Sequence, residues 1–248
     1  MRLTQLNVVS SFLLALQFLT RIPITFNRVV SDKQWGQTVL FYPIVGLIIG
    51  SLIAFIAFLL VETHFTVNAA LILMVWVAIT GGLHLDGLAD CADAWAGGLE
   101  SPQRSLAIMK DPRSGAIAVV ILVLLLLLKW VALSRLLIQP DFLGYLILIP
   151  ALGRSAILAL MLSTPYVSPQ GLAKTLNAYF PKIAALIILS LSVLIGCYVI
   201  GLMELLFTGL IIYLIRRLSL QRLGGVTGDV YGATVELVEV TLLTLVIL

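Results

Sequence analysis

Charge is sparse in this sequence. Of its 248 residues only 11% are charged and 61% are hydrophobic, and the mean hydropathy is +1.14. A water-soluble domain carries about a quarter charged residues, so that class is excluded. Cysteine is also scarce. Cys91 and Cys197 lie far apart and lack metal-ligand spacing, which rules out a disulfide framework. The apolar runs lack the alternation of a membrane β-barrel. Residues 1 to 22 lack a small-residue cleavage site and are followed by Pro23, which argues against a removed signal peptide. The basic residues are dispersed rather than gathered on one helix face, so the formal charge of +3 implies no nucleic-acid partner.

What the chain does have is apolar runs of membrane-spanning length. They recur at about 38–60, 67–84, 116–137, 142–163, 183–200, 201–216 and 232–248. Within hydrocarbon every backbone donor and acceptor must be satisfied internally, so these are helices. The expected fold is all-α: one polytopic transmembrane domain over 1–248, with about seven spans and a short, tilted or re-entrant helix at the N-terminus. The lipid bilayer is its first partner. The region 183–216 reads either as two short spans broken at Gly201 or as one long tilted helix.

The connections alternate in charge. One side receives Arg21, Arg28 and Lys33, then Arg104, Lys110 and Arg113, then Lys174 and Lys182, then Arg216, Arg217 and Arg222. The other receives Glu62 and His64, then Asp141, then Glu204. The basic side is expected to be cytoplasmic. The long polar segments all fall there, and the chemistry is expected in 84–115 and 216–236.

The stretch GGLHLDGLADCADAW, 81–95, sets acid against an apolar run. Asp86, Asp90 and Asp93, at i, i+4 and i+7, share a helix arc of roughly 60 degrees. Carboxylates crowded on one edge near a bilayer need a cation, and hard oxygen ligands suit Mg²⁺ or Mn²⁺ bridging to phosphate. The plainer alternative is a solvated acidic face, disfavoured by the glycine-rich and apolar flanks. His84, two residues before Asp86, is a candidate general base or orienting group.

Downstream, RSLAIMKDPRSG at 104–115 supplies Arg104, Lys110 and Arg113, the residue types that grip phosphate. Read alone they are topogenic charges; beside the aspartates they read as phosphate-binding. GGVTGDVYGATVEL at 224–237 brings Asp229 and Glu236, seven apart, as further metal ligands or proton acceptors. Its glycines equally suit a helix-packing seam. Glu239 points away from that pair and reads as a packing or interfacial residue. Arg154, deep in its run, needs an anionic partner, either a diphosphate or one of the aspartates. Lys129 and Arg135 lie toward a span end and are expected to snorkel outward. Trp35, Tyr42, Tyr166 and Tyr231 read as boundary anchors.

These stretches, together with FLTRIPI at 18–24 and PYVSPQGLA at 165–173, closely resemble the cobalamin synthase (adenosylcobinamide-GDP ribazoletransferase) family over nearly the whole chain. Many members have glycine at the position of Ala94 and a basic residue at that of Ser168, so the 164–173 loop is left out of the candidate site. The resemblance implies a Mg²⁺-dependent reaction. A ribose hydroxyl of α-ribazole or its 5'-phosphate attacks the cobinamide-side phosphorus of adenosylcobinamide-GDP, and GMP leaves. It implies Asp86, Asp90 and Asp93 as holders of metal, with Mn²⁺ a plausible replacement, and Lys110, Arg113 and Arg104 as neutralisers of charge on GMP. The large corrin half implies a wide cavity facing the cytoplasm of a bacterial or archaeal cell. Whether protomers form a homo-oligomer stays open.

The rivals are weaker. A CDP-alcohol phosphatidyltransferase pattern would have arginine where DGLAD has Asp90. A prenyltransferase fails on similar spacing grounds. A cation transporter would carry its acids at the midplane, in paired broken helices.

Overall fold

The computed structural model describes residues 2–24, 30–60, 64–168 and 171–248, and side chains within them from residue 8 onward. Arg28 and Glu62, and two residues of the 165–173 stretch, lie outside the described residues. Among those described, regular structure is helical: α1 (Arg2–Leu19), α2 (Asp32–Thr38), α3 (Tyr42–Leu59), α4 (Phe65–Thr80), α5 (Leu83–Gly97), α6 (Pro102–Ile108), α7 (Ala116–Leu136), α8 (Phe142–Ser163), α9 (Leu172–Ala178), α10 (Lys182–Val199), α11 (Leu202–Leu223) and α12 (Gly228–Leu245). A single 3-10 turn, Val39–Phe41, joins α2 to α3. The chain is an all-α membrane bundle.

Length and composition alone mark fewer spans than seven among the described residues. Four helical segments are long and apolar enough to cross a membrane: 32–59, 116–136, 142–163 and 182–199. The count rises to five if the bent pair α4 and α5 is taken as one span. α11 carries Glu204, Arg216, Arg217 and Arg222, and α12 carries Asp229, Glu236 and Glu239, too much charge to qualify on composition. α1 holds an apolar stretch over Val8–Leu19, shorter than a span. The 183–216 ambiguity resolves into two helices: Gly201, at φ +131°, breaks α10 from α11.

α8 and α12 form the core. The apolar window of α8 is 78% buried, against 11% for α10, which makes α10 a peripheral, lipid-facing helix. Phe55 and Phe58 on α3, and Leu186 and Leu194 on α10, are correspondingly exposed; lipid tails solvate them as well as protein does. α3 lies close against α8 because it presents Gly46: a Cβ there would sit 2.6 Å from the Pro150 carbonyl oxygen.

The site is positioned by one turn. Gly81 and Gly82 are both left-handed, at φ +63° and +69°, a conformation that penalises any side chain. They swing α5 through 88° relative to α4. α5 thus lies across the N-terminal ends of α7 and α12 rather than continuing a crossing. The C-terminus of α8 reaches the same face: Arg216 donates twice, at 3.1 Å each, to the Ser163 carbonyl. The segment after it makes a parallel bridge, Tyr166 to Val226, with the segment that opens α12.

Candidate active site

α5 and α12 cross at their first turns, where glycine permits backbone contact. A Cβ on Gly87 would lie 2.7 Å from the Asp229 carbonyl oxygen, and one on Gly232 would lie 3.3 Å from His84 Cα. The Thr227 hydroxyl caps α12 by accepting from Val230 N at 3.3 Å. The crossing brings Asp86 and Asp229 to the wall of one cleft of about 300 Å³, which His84 also lines. Asp90 stands one turn further along α5. Burial, then the negative charges of Asp86, Asp229 and Asp93, push its carboxyl up to about 7. Asp86, Asp90 and Asp229 thus form an anionic patch. That donor chemistry fits a hard divalent ion. Among the described residues, however, no three carboxylate, thiol or imidazole groups converge enough to hold one. A metal here would need oxygens from elsewhere.

Asp93 has a different employment from the one expected. Its Oδ2 accepts from Gly115 N at 2.5 Å and its Oδ1 from Ala118 N at 2.9 Å. It therefore caps α7 from a neighbouring helix, satisfying amides that the first turn leaves unpaired. Gly115 is part of the fit, because a Cβ there would lie 2.6 Å from Asp93 Oδ1. Both carboxylate oxygens of Asp93 thus accept from backbone amides of α7, a structural role that, among the described residues, neither Asp86 nor Asp90 shares.

The basic segment is open. Arg104 and Lys110 are exposed. Arg113, 86% exposed at its side chain, clasps Asp111 with Nη2 at 2.6 Å and Nε at 2.9 Å. That clasp holds Asp111 down at about 2, through the side-chain bond first and the Arg113 backbone N–H second, and raises Arg113 in turn. None of the three basic residues lines the cleft among the described residues.

Glu236 and Arg154 are brought together deep in the bundle, away from the anionic patch. Lys129 donates to Glu236 Oε2 at 2.6 Å and to Glu239 Oε2 at 2.7 Å. Arg154, fully buried, pairs with Glu239 and donates to the Pro150 carbonyl at 3.1 Å. Two cations and two anions close a neutral cluster in low dielectric. This corrects four expectations. Lys129 does not snorkel: it is 3% exposed and lies 4.9 Å over the Trp76 ring. Glu236 is paired with a lysine rather than set beside Asp229 as a metal ligand. Glu239 is the hub of the cluster rather than a packing or interfacial residue. Arg154 neither lines the cleft nor pairs with an aspartate. It does reach the site indirectly, through Nη2 at 3.4 Å from His84 Nδ1.

Two groups of residues at the site went unread in the sequence. Tyr42, Tyr166 and Tyr231, expected to be membrane anchors, line the cleft together with Phe18. Arg21, counted only as a topogenic charge, packs its side chain over Gly81 at the α4–α5 turn, and its backbone N–H bonds Ile79 O at 2.7 Å. The available signal was its position in FLTRIPI. Cys91 and Cys197 are both free.

Comparison with known proteins adds the family. Residues 11–247 match the model of the cobalamin-5-phosphate synthase family. The chain is 51% identical to the adenosylcobinamide-GDP ribazoletransferase of Stutzerimonas stutzeri, over 93% of this chain and 95% of that protein. It is 48% identical to the protein of the same name from Pseudomonas entomophila, over 94% and 96%. For the Pseudomonas aeruginosa protein of that name the identity is 47%, over 94% and 96%. No solved structure matches the chain. With nearly the whole chain matched, and acids from α5 and α12 converging on one cleft, this protein belongs to the cobalamin-5-phosphate synthase family.

Proposed function

We propose that this chain is an adenosylcobinamide-GDP ribazoletransferase, joining adenosylcobinamide-GDP to α-ribazole or its 5'-phosphate with release of GMP in the synthesis of adenosylcobalamin. The observation that carries the reading is the meeting of Asp86 and Asp229 on one cleft, in a chain 51% identical to a protein of that name. A free ribose hydroxyl attacks the cobinamide-side phosphorus. The bond from that phosphorus to the bridging oxygen breaks, GMP carries the oxygen away, and the hydroxyl proton passes to solvent or a carboxylate. The product is a phosphodiester.

The cation is Mg²⁺, with Mn²⁺ able to replace it, and Asp86 and Asp229 on the cleft wall are the residues that would hold it, with Asp90 adding charge from one turn further along α5. When bound, such an ion supplies neutralisation of diphosphate charge. The diphosphate itself offers the oxygens that the three aspartates lack. Asp229 and Asp86, on separate elements, fix where the reacting phosphorus lies, and positioning of this kind is the larger part of phosphoryl-transfer catalysis. Lys110, Arg104 and Arg113 are exposed cations that would meet the phosphate of GMP outside the cleft; Arg113 would exchange Asp111 for phosphate. The site faces the cytoplasm from a bacterial or archaeal cytoplasmic membrane, and the distribution of lysine and arginine supports that sidedness.

The test is GMP release by the detergent-solubilised protein supplied with both substrates and Mg²⁺, beside Asp86→Asn. Release that needs metal and acceptor and is lost in the variant supports the reading. Full release by Asp86→Asn overturns it.

A further inference from the structure

The cleft beside Asp86 and Asp229 is small, apolar and ringed by aromatics, and these properties distinguish between the two substrates. Its volume is about 300 Å³, at the bottom of the range for small-molecule sites. A corrin with its amide side chains does not enter such a space, whereas one planar nucleoside does.

Four aromatic residues border the cleft in two near-parallel pairs. Tyr166 and Tyr231 have ring centroids 6.3 Å apart and planes 24° apart. Phe18 and Tyr42 are likewise 6.3 Å apart, with planes at 25°. Tyr231 gives its hydroxyl to Asn177 Oδ1 at 2.9 Å, so what remains for a ligand is its ring. Ile157 and Met161 of α8 add aliphatic surface. The charged groups on the wall are the two aspartates, which the reading above commits to the cation and the reacting phosphorus rather than to the edge of a base. A benzimidazole is a flat aromatic with few polar atoms, and rings of this kind bind such bases by stacking.

We propose that this cleft is the acceptor subsite: it holds the benzimidazole of α-ribazole between its aromatic walls, with the ribose toward Asp86 and Asp229. The corrin and the guanosine of the other substrate then lie outside the cleft, over the open face that carries Lys110 and Arg113. This assignment rests on the ribazoletransferase reading and says which substrate occupies the enclosed part of the site.

Tyr166 is the residue to change. It is half-buried and is tied to Val226 through the backbone, so its ring can be altered without removing a core side chain. GMP release is measured with each substrate varied in turn for wild type, Tyr166→Leu and Tyr166→Phe. Tyr166→Leu should raise the KM for α-ribazole about tenfold, the scale of one lost base stack. The KM for adenosylcobinamide-GDP should stay unchanged, and Tyr166→Phe should restore the ribazole value. If the KM effect falls instead on adenosylcobinamide-GDP, or on neither substrate, the cleft is not the acceptor subsite, although the reaction stands. A wild type that releases no GMP under any condition sinks the reaction and this assignment together.

Discussion

Arg154 Nη2 stands 3.4 Å from Nδ1 of His84, and a guanidinium can only donate. Nδ1 must therefore accept, so the proton of a neutral imidazole sits on Nε2, and no protein partner for Nε2 appears among the described residues. Arg154 is held in turn by Glu239, and Glu239 by Lys129. His84 lines the cleft, and with this tautomer it offers a hydrogen-bond donor rather than a free base at Nδ1. The chain has two histidines, so ¹⁵N-histidine labelling, with His64→Gln to assign the second signal, reads the tautomer directly. The expected spectrum of His84 is that of Nε2–H. A protonated Nδ1 would show that Arg154 does not fix the ring.

The aspartates of α5 and α12 should divide into two kinds. Asp86→Asn and Asp229→Asn remove charge from the cleft wall and are expected to slow GMP release by about a hundredfold or more, as loss of a preorganised charge does. Their Mg²⁺ dependence should shift to higher concentration. Asp93→Asn instead weakens a helix cap, at about 1 kcal/mol of stability, and should leave the midpoint of the Mg²⁺ titration where it was. A metal titration on the three variants separates the roles, and a shift in Asp93→Asn equal to that in Asp86→Asn would restore Asp93 to the ligands.

Removing one member of the buried cluster should cost more than removing a matched pair. Lys129→Met leaves Glu236 and Glu239 sharing Arg154 in low dielectric, with an expected loss of about 3–5 kcal/mol. Adding Glu236→Gln to Lys129→Met returns the cluster to one cation and one anion and should recover most of it. Thermal unfolding in detergent reads both. Equal destabilisation by the single and double variants would mean that the lysine acts through its packing against Trp76.

Which features were legible follows from how far their causes extend along the chain. Continuous apolar runs announce helices because the bilayer leaves no alternative, and the edge Asp86, Asp90, Asp93 shows at helical spacing within eight residues. Partners were not legible. Asp93 meets Gly115 only because α5 folds across α7, and that depends on two left-handed glycines. Lys129, Arg154, Glu236 and Glu239 sit on three helices, and each alone reads as a surface or ligand charge. Tyr42, Tyr166 and Tyr231 lie near span ends, where anchoring is the ordinary use of tyrosine; only the packed chain turns them onto one cleft.

The crossing of α5 over α12 ties catalysis to a distance set by one glycine. A Cβ on Gly87 would meet Asp229 at 2.7 Å from its carbonyl oxygen and 3.0 Å from its Cα. Those atoms are backbone and cannot rotate away, so Gly87→Ala must lift α5 from α12 and part Asp86 from Asp229. Overpacking of this kind costs about 1–3 kcal/mol. GMP release should fall by more than the loss of folded protein explains. Gly209 on α11 provides the control, since a Cβ there meets nothing within 4 Å. Gly209→Ala is expected to hold or gain stability, by about 0.5–1 kcal/mol at most, with turnover unchanged. If Gly87→Ala keeps wild-type turnover per folded molecule, the spacing of Asp86 and Asp229 is not what the reaction depends on.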